Sequence, residues 1–408
     1  RLFLDAIIDF IPAHCEKGTV KAKNAANGEP VELKTNDSEI LAVQVFKTIV
    51  DPFVGKISFF KVVSGTLTPD TTVYNPKKEK TEKISSLFVM KGKQQLSVNK
   101  LACGDIGAVA KLTVTATNDT LCTKEKPVIL SEIEFPEPML GMAIVPKAKG
   151  DEDKISHGLQ RLLEEDPTFK MELNAETKQT LIYGLGDQHL DVVTSKLKNK
   201  FKVEVDLINP KVPYRETIRK KVTVEGKHKK QSGGHGQFGV VVIEFEPGET
   251  EDLTFEEKIF GGAVPKQYFP AVEKGLRESM QKGVLAGYPV VNLKATLLDG
   301  KYHDVDSSEM AFKIAASLAY KEGMKQASPV LLEPICRVEV LVPDSYMGDI
   351  IGDLNKRRGR VLGMNPHSGG LQQVVAEVPQ AEMFRYATDL RSITQGRGSY
   401  TMQFERYE

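Results

Sequence analysis

Twice in this 408-residue chain the pattern runs strand, helix, strand, strand, helix, strand. Between 136 and 210, "MLGMAIVPK" reads as a strand and "DEDKISHGLQRLLEED" as a helix. "FKMELN" and "QTLIYG" make a strand pair, "QHLDVVTSKLKNKF" a helix and "VEVDL" a strand. Between 334 and 408 the order returns in "CRVEVLVP", "YMGDIIGDLNKRRG", "RVLGMNP", "LQQVVAEVP", "MFRYATDLRSIT" and "YTMQFER". Alternating apolar residues mark the strands and a helical period marks the helices. The order is that of the split-βαβ, ferredoxin-like unit, present twice without obvious repetition of residues.

The remaining segments differ in character. Residues 1–12 read as one amphipathic helix carrying Leu2, Leu4, Ile7, Ile8 and Ile11 and stopped by Pro12. The polar stretch "EKGTVKAKNAANGEPVELKTNDSE" reads as a linker, so 1–38 is a helix plus linker. Over 39–130, short strands such as "ILAVQVFKTIV" and "GKISFFKVVSG" follow one another between turn signals. They leave little room for helices, which makes a closed β-barrel the economical solution. Residues 213–333 mix strands with a long helix from about Ser307 to Lys325, whose apolar face is read from Ala311, Ile314, Ala315, Leu318 and Ala319. The fold class is multidomain α+β.

Bulk properties restrict function. There are 55 basic and 55 acidic residues, so any contact with nucleic acid must rest on local patches. Cys15, Cys103, Cys122 and Cys336 are widely separated, with no CxxC pair, which fits a reducing cytosol and a cytoplasmic protein rather than a disulfide framework. No apolar run is long enough for a membrane span. The chain opens at Arg1 inside a helical pattern, so it is expected to be a fragment whose N-terminal portion is missing.

The segment "KHKKQSGGHGQFGVVVIEFEP", Lys227–Pro247, poses the functional question. Basic and imidazole side chains precede glycines 233, 234 and 236, and an alternating strand follows. Such a loop suits a nucleotide phosphate, a metal held by histidines, or a larger polyanion. GxxxxGK[ST] occurs nowhere, and the glycine loop leads into a strand rather than the helix a phosphate loop needs. "GLGDQH" lacks the third glycine of a dinucleotide loop and reads as a helix N-terminus capped through Asp187. "YHDVDSSE" gathers His303, Asp304 and Asp306, but without HxH or HxxxH spacing. Asp306 with Glu309 reads as a helix cap in a capping-box arrangement. No GxSxG elbow accompanies Ser307 and Ser308. No catalytic motif and no metal site are assigned.

Polyanion binding fits best. Arg219, Lys220, Lys221, Lys227, Lys229 and Lys230 gather near one acid, Glu225. Lys356, Arg357, Arg358 and Arg360 form a second group at a helix C-terminus, where the helix dipole already favours cations. Glycines would let the loop backbone approach phosphates closely.

Several long strings resemble bacterial elongation factor G without its nucleotide-binding domain. They are "DPFVGKISFFKVVSG", "ETIRKK", "KQSGGHGQFG", "LAGYPVV", "YHDVDSSEMAFKIAAS", "LLEPICRVEV", "MGDIIGDLNKRRGRVLGM" and "RYATDLRSITQGRGSYTM". The resemblance implies a translation-factor β-barrel, a ferredoxin-like domain, an S5-like arm domain and a second ferredoxin-like domain. It implies a monomer that binds both ribosomal subunits, tRNA and mRNA, with translocation or, in a divergent paralogue, recycling or ribosomal protection as its task. GTP and Mg2+ would belong to the missing N-terminal domain, which makes the full-length family a ribosome-dependent GTPase; this chain itself would hold no cofactor. The implied RNA-facing tip is Gln231, Ser232, Gly233, Gly234, His235, Gly236, Gln237 and His303, with Asp304 and Asp306 holding its second loop in shape. Lys227, Lys229 and Lys230 are auxiliary, Lys56 would meet small-subunit RNA, and Arg391 and Arg397 large-subunit RNA. Two positions depart from the family: His235 stands where Arg is usual, and "GDQH" where Gly-Glu-Leu-His is usual. The rival from another class is a metallohydrolase centred on His228, His235 and His303.

Overall fold

The structure is a computed structural model that describes every residue except Arg1, Pro52, Phe53, Lys93 and 231–235, together with the side chain of Cys15. The chain divides into two compact units, Arg1–Pro210 and Lys211–Glu408.

In the first unit, the helix Leu2–Phe10 buries none of its residues. The stretch read as a linker is instead a hairpin. Strands Thr19–Asn24 and Pro30–Lys34 pair with each other, and the first also pairs with Val128–Leu130. Ala22 and Leu33 from the hairpin share a small core with Val128 and Leu130. Their alternation is masked by the Lys, Glu and Asn that occupy the solvent side of such short strands. An eight-stranded antiparallel sheet follows, built around the long pair Ala42–Asp51 and Gly55–Ser64. Ile84, beside one end of the sheet, and Leu87, in the strand next to the other end, pack in one core with Val43, Phe60 and Val109. The sheet therefore curls until its ends share an interior.

The split-βαβ unit comes next. Strands Leu140–Pro146, Lys170–Asn174, Gln179–Gly184 and Val205–Ile208 form one antiparallel sheet, with helices Glu152–Glu165 and Asp187–Lys196. The second helix continues through a π-helical turn, Leu197–Phe201. At Gly158 a Cβ atom would come within 2.8 Å of Leu197, so glycine lets the two helical elements meet. Glu165, 7% exposed, accepts the N–H of Val50 at 2.9 Å and pairs with Lys196 at 3.0 Å and Lys200 at 2.7 Å. One carboxylate thus ties the helical part of this unit to its long β-hairpin.

In the second unit, strands Val222–Lys230, Gln237–Pro247, Leu293–Lys301 and Thr254–Glu257 form a sheet, the last pair parallel. Helices Phe269–Met280 and Glu309–Gln326 pack on it through a shared core. The longer helix buries a stripe of small residues, Ala311, Ala315, Ala316 and Ala319, with Phe312 and Tyr320. Leu318, expected on that face, is 40% exposed. The helix lies so close that a Cβ at Gly226 would come within 2.2 Å of the Ala315 carbonyl oxygen, and one at Gly239 within 3.1 Å of Ala311. The wide stripe of alanines, rather than the larger apolar residues, is what permits that approach.

Glu216, 1% exposed, anchors the base of this region. Its carboxylate accepts the backbone N–H groups of Leu285, Ala286, Gly287 and Tyr288 at 2.7–3.1 Å. Beyond it, strands Pro334–Pro343, Arg360–His367, Leu371–Pro379 and Ser399–Tyr407 form the second split-βαβ sheet, with helices Met347–Lys356 and Tyr386–Thr394. Val338, Val340, Ile350, Leu354 and Leu390 fill its core.

Candidate nucleic-acid interface

Strand pairing carries the hairpin of the arm to Lys230 opposite Gln237, so residues 231–236 join the strands at its end. Gln231, Ser232, Gly233, Gly234 and His235 lie outside the described residues. Gly236 and Gln237 are described, and they lie beside the loop that connects strand Leu293–Lys301 to helix Glu309–Gln326. Asp306 makes the connection: its Oδ1 accepts the N–H of Gly236 at 2.9 Å, and its carbonyl oxygen accepts the N–H of Phe238 at 2.8 Å. Ser307 completes it, donating its hydroxyl to the Phe238 carbonyl oxygen at 2.8 Å and accepting the His303 N–H at 2.8 Å.

The expected cap assignment changes accordingly. Ser308, not Asp306, is the N-cap, and its hydroxyl oxygen accepts the N–H of Ala311 at 3.2 Å. Asp306 comes too early in the chain for that role and works between loops instead. In "GDQH" likewise, Gly186 occupies the N-cap position and Asp187 is the first helical residue.

His303 is held by its own loop. Val305 and Asp306 both donate backbone N–H groups to its Nδ1, at 3.3 Å each. A ring nitrogen that accepts carries no proton, so the 3.6 Å approach of Asp306 Oδ2 to Nδ1 is not an ion pair. The arrangement leaves Nε2–H as the ring's donor on a side chain that is 57% exposed. Phe238 sits edge-on to the imidazole, with centroids 6.4 Å apart. Tyr302 and Val305 flank it in the loop, 45% and 63% exposed. The sequence reading missed these two, although an aromatic and a β-branched residue in a polar loop is a visible signal. Asp304 is exposed beside them.

The basic residues separate into two kinds. Lys227, Lys229 and Lys230 are exposed at the hairpin end, and His228 Nε2 lies 2.9 Å from the side-chain oxygen of Gln237. Lys221 is already paired with Glu244 at 2.7 Å and Glu246 at 3.3 Å. The group at 356–360 is largely structural as well. Arg357 binds Asp353, Asp389 and the Glu382 carbonyl oxygen at 2.6–2.8 Å and lies over Tyr386. Arg358 makes a two-pronged pair with Glu333 and a third contact with Glu382. Lys56, in the first unit, lines a cleft of about 430 Å³ with His157, Arg161 and Lys200. Arg391 is half-buried on its helix, and Arg397 is exposed, hydrogen-bonded to the Tyr346 hydroxyl and stacked over its ring.

Among the described residues no three His, Cys, Asp or Glu side chains converge as metal ligands would. Cys122 and Cys336 are buried free thiols, and no helix among the described residues is long and apolar enough to cross a membrane.

Comparison with known families covers most of the chain. Residues 41–124 match elongation factor G domain 2, 135–209 domain III, 210–328 domain IV, and 330–408 the elongation factor G C-terminus. The chain belongs to the elongation factor G family. A crystal structure of a Thermus thermophilus protein aligns with 100% of this chain at 39% identity and a TM-score of 0.76. The chain spans 58% of the length of that protein.

Within the elongation factor G match, the tip just described belongs to the domain IV region, and "GDQH" to domain III. His189 of that string is locked on both ring nitrogens. The Leu185 N–H donates to Nδ1 at 3.0 Å, so the proton resides on Nε2, which faces Asp166 at 2.9 Å. Burial pushes the Asp166 carboxyl up, but the Thr168 hydroxyl and N–H and the His189 ring outweigh it and hold it below the usual range.

Proposed function

We propose that this chain is the ribosome-engaging part of a translation factor that moves tRNA and mRNA. In this reading its arm places residues 231–237 and 301–307 against base-paired RNA at the decoding site. The observation that supports it most is the Asp306–Ser307 link, which holds the 301–307 loop to Gly236 and Phe238, distant in sequence, and leaves His303 Nε2–H and the exposed lysines facing solvent. A codon–anticodon duplex must be held whatever its sequence. Backbone-thin loops with a few donors suit 2′-hydroxyls and phosphates, whereas bulky base-reading side chains would not. Lys227, Lys229 and Lys230 add sequence-independent attraction to phosphate. Since the 408 residues contain no GxxxxGK[ST] loop, GTP hydrolysis with Mg2+ falls to a nucleotide-binding domain joined to them.

His303→Ala tests the reading in a factor carrying this chain behind its GTPase domain. Single-turnover translocation should slow by about tenfold, the scale of one lost donor hydrogen bond, with ribosome-stimulated GTP hydrolysis nearly unchanged. An unaltered translocation rate removes His303 from the interface. Ribosome binding without any tRNA movement would favour recycling or protection instead.

A further inference from the structure

Strand Thr254–Glu257 runs parallel to strand Leu293–Lys301, so both lead towards the end of the domain that carries His303. The chain keeps that course after the strand, where the Lys258 N–H donates to the Leu297 carbonyl oxygen at 2.8 Å. It comes back beside the tip. Val264 lies so close to Gly300 that a Cβ on the glycine would come within 2.5 Å of it. The Tyr268 ring stacks on Phe312 at 4.6 Å, and its hydroxyl donates to the Ser307 carbonyl oxygen at 3.4 Å. Ile259 and Val264 both pack on the core of the domain. Residues 260–263 are therefore a short loop pinned at both ends, next to the 301–307 loop.

Phe260 in that loop is 96% exposed, the most exposed large apolar side chain among the described residues. A lone apolar residue on a surface is ordinary; the setting distinguishes this one. Gly261 and Gly262 follow it with φ of +69° and +73°, a region that favours glycine, and a Cβ on either would meet open space. The backbone alone makes the turn, and the ring stands clear of the domain. Lys266 and Lys301 are exposed in the same region. The nearby acids are engaged: Glu256 pairs with Lys294 at 3.2 Å and Lys258 at 3.8 Å, and Glu257 accepts the Ile259 N–H at 3.4 Å.

We propose that Phe260 is a stacking platform for an unpaired RNA base, a third element of the tip beside 231–237 and 301–307. The proposal rests on the reading of this end as RNA-facing and adds a contact of another kind. A free aromatic ring covers any nucleobase, so it holds RNA without reading its sequence, while neighbouring lysines attract the phosphates. A duplex hides the faces of its bases, which makes the partner a single-stranded or splayed-out nucleotide. A protein partner would find little apolar surface around such an anchor, since two bare glycines follow it.

The chain contains no tryptophan, so Phe260→Trp places a single fluorescent reporter in the loop. In the 408-residue chain at low salt, a short single-stranded RNA should quench its emission saturably. Inorganic polyphosphate, which offers charge without bases, should not, and duplex RNA should quench less. Phe260→Ala should weaken single-stranded RNA binding about fivefold or more, with the melting temperature unchanged, and Phe260→Tyr should restore most of it. Equal emission with RNA and polyphosphate overturns the proposal, as does unchanged affinity in Phe260→Ala. So does quenching by the protein fraction of the small ribosomal subunit but not by RNA, which would assign the ring to a protein partner. Translocation by the His303→Ala factor separates this loop from the broader reading. A slowed His303 variant beside an unquenched Phe260→Trp keeps the tip and removes the loop from it; quenching beside an unaltered His303 variant does the reverse.

Discussion

The carboxylate of Asp306 accepts the backbone N–H of Gly236 at 2.9 Å, across 70 residues of sequence. That bond, with the carbonyl of the same residue on Phe238, makes one object of two loops. Asp306→Ala should raise amide hydrogen exchange at Gly236 and Phe238 by about tenfold, the equivalent of roughly 1–1.5 kcal/mol of local stability. Asp306→Asn, which keeps an acceptor oxygen, should do less. Exchange rates at the two amides that match wild type in Asp306→Ala would show that the loops are held together by something else.

Glu216 sets a different scale. Its carboxylate serves four N–H groups in a site with almost no solvent access. Glu216→Ala leaves those donors unpaired and should cost about 3–5 kcal/mol, enough to unfold the surrounding domain at moderate urea. Glu216→Gln retains one acceptor oxygen and should lose less. Urea denaturation followed by tyrosine fluorescence reports both, and a loss under about 1 kcal/mol for the alanine variant would contradict the assignment.

Glu165 supplies the pH dependence. Burial pushes its carboxyl up, but Lys200, the Val50 N–H and Lys196 together hold it below the usual carboxylate range. A carboxyl lowered on folding contributes stability that is fully present above its unfolded value, about 4.3, and is lost as pH falls through the lower folded one. Glu165→Gln should therefore lower the melting temperature of the first unit at pH 7. The two proteins should converge as pH falls through that lower folded value. A gap that persists into acid would mean that the side chain's shape, not its charge, does the tying.

Basic residues should divide by experiment as they do by geometry. Arg357→Lys keeps the charge but loses the fork that reaches Asp353, Asp389 and the Glu382 carbonyl. It should destabilise the C-terminal domain by about 1–3 kcal/mol while leaving RNA affinity alone. Lys229→Ala should do the reverse, leaving stability within about 0.5 kcal/mol and reducing the salt-dependence slope of RNA binding by about one. Filter binding across a salt series, beside thermal melts, measures both.

The two split-βαβ units were legible because each strand is long enough to alternate and each helix long enough to show its period. The hairpin at Thr19–Lys34 was not: two short strands carry Ala22 and Leu33 as their buried side chains, and the rest looks like solvent. The face of the helix Glu309–Gln326 was half legible. Periodicity found its alanines but favoured Leu318, since sequence alone does not say that Gly226 and Gly239 bring the helix too close for a leucine there. The work of Asp306 depends on a contact across 70 residues, and local capping rules assigned it to the wrong partner.

Gly226 and Gly239 also bear on how stiffly this domain is built. Where the helix rests on the strands, backbone meets backbone with no cushion of long side chains between. A beam made this way has little soft material to compress, so a thrust applied at one end reaches the other with small loss to bending. Adding even one methyl group at Gly226 would pry the two members apart and turn a strut into a spring.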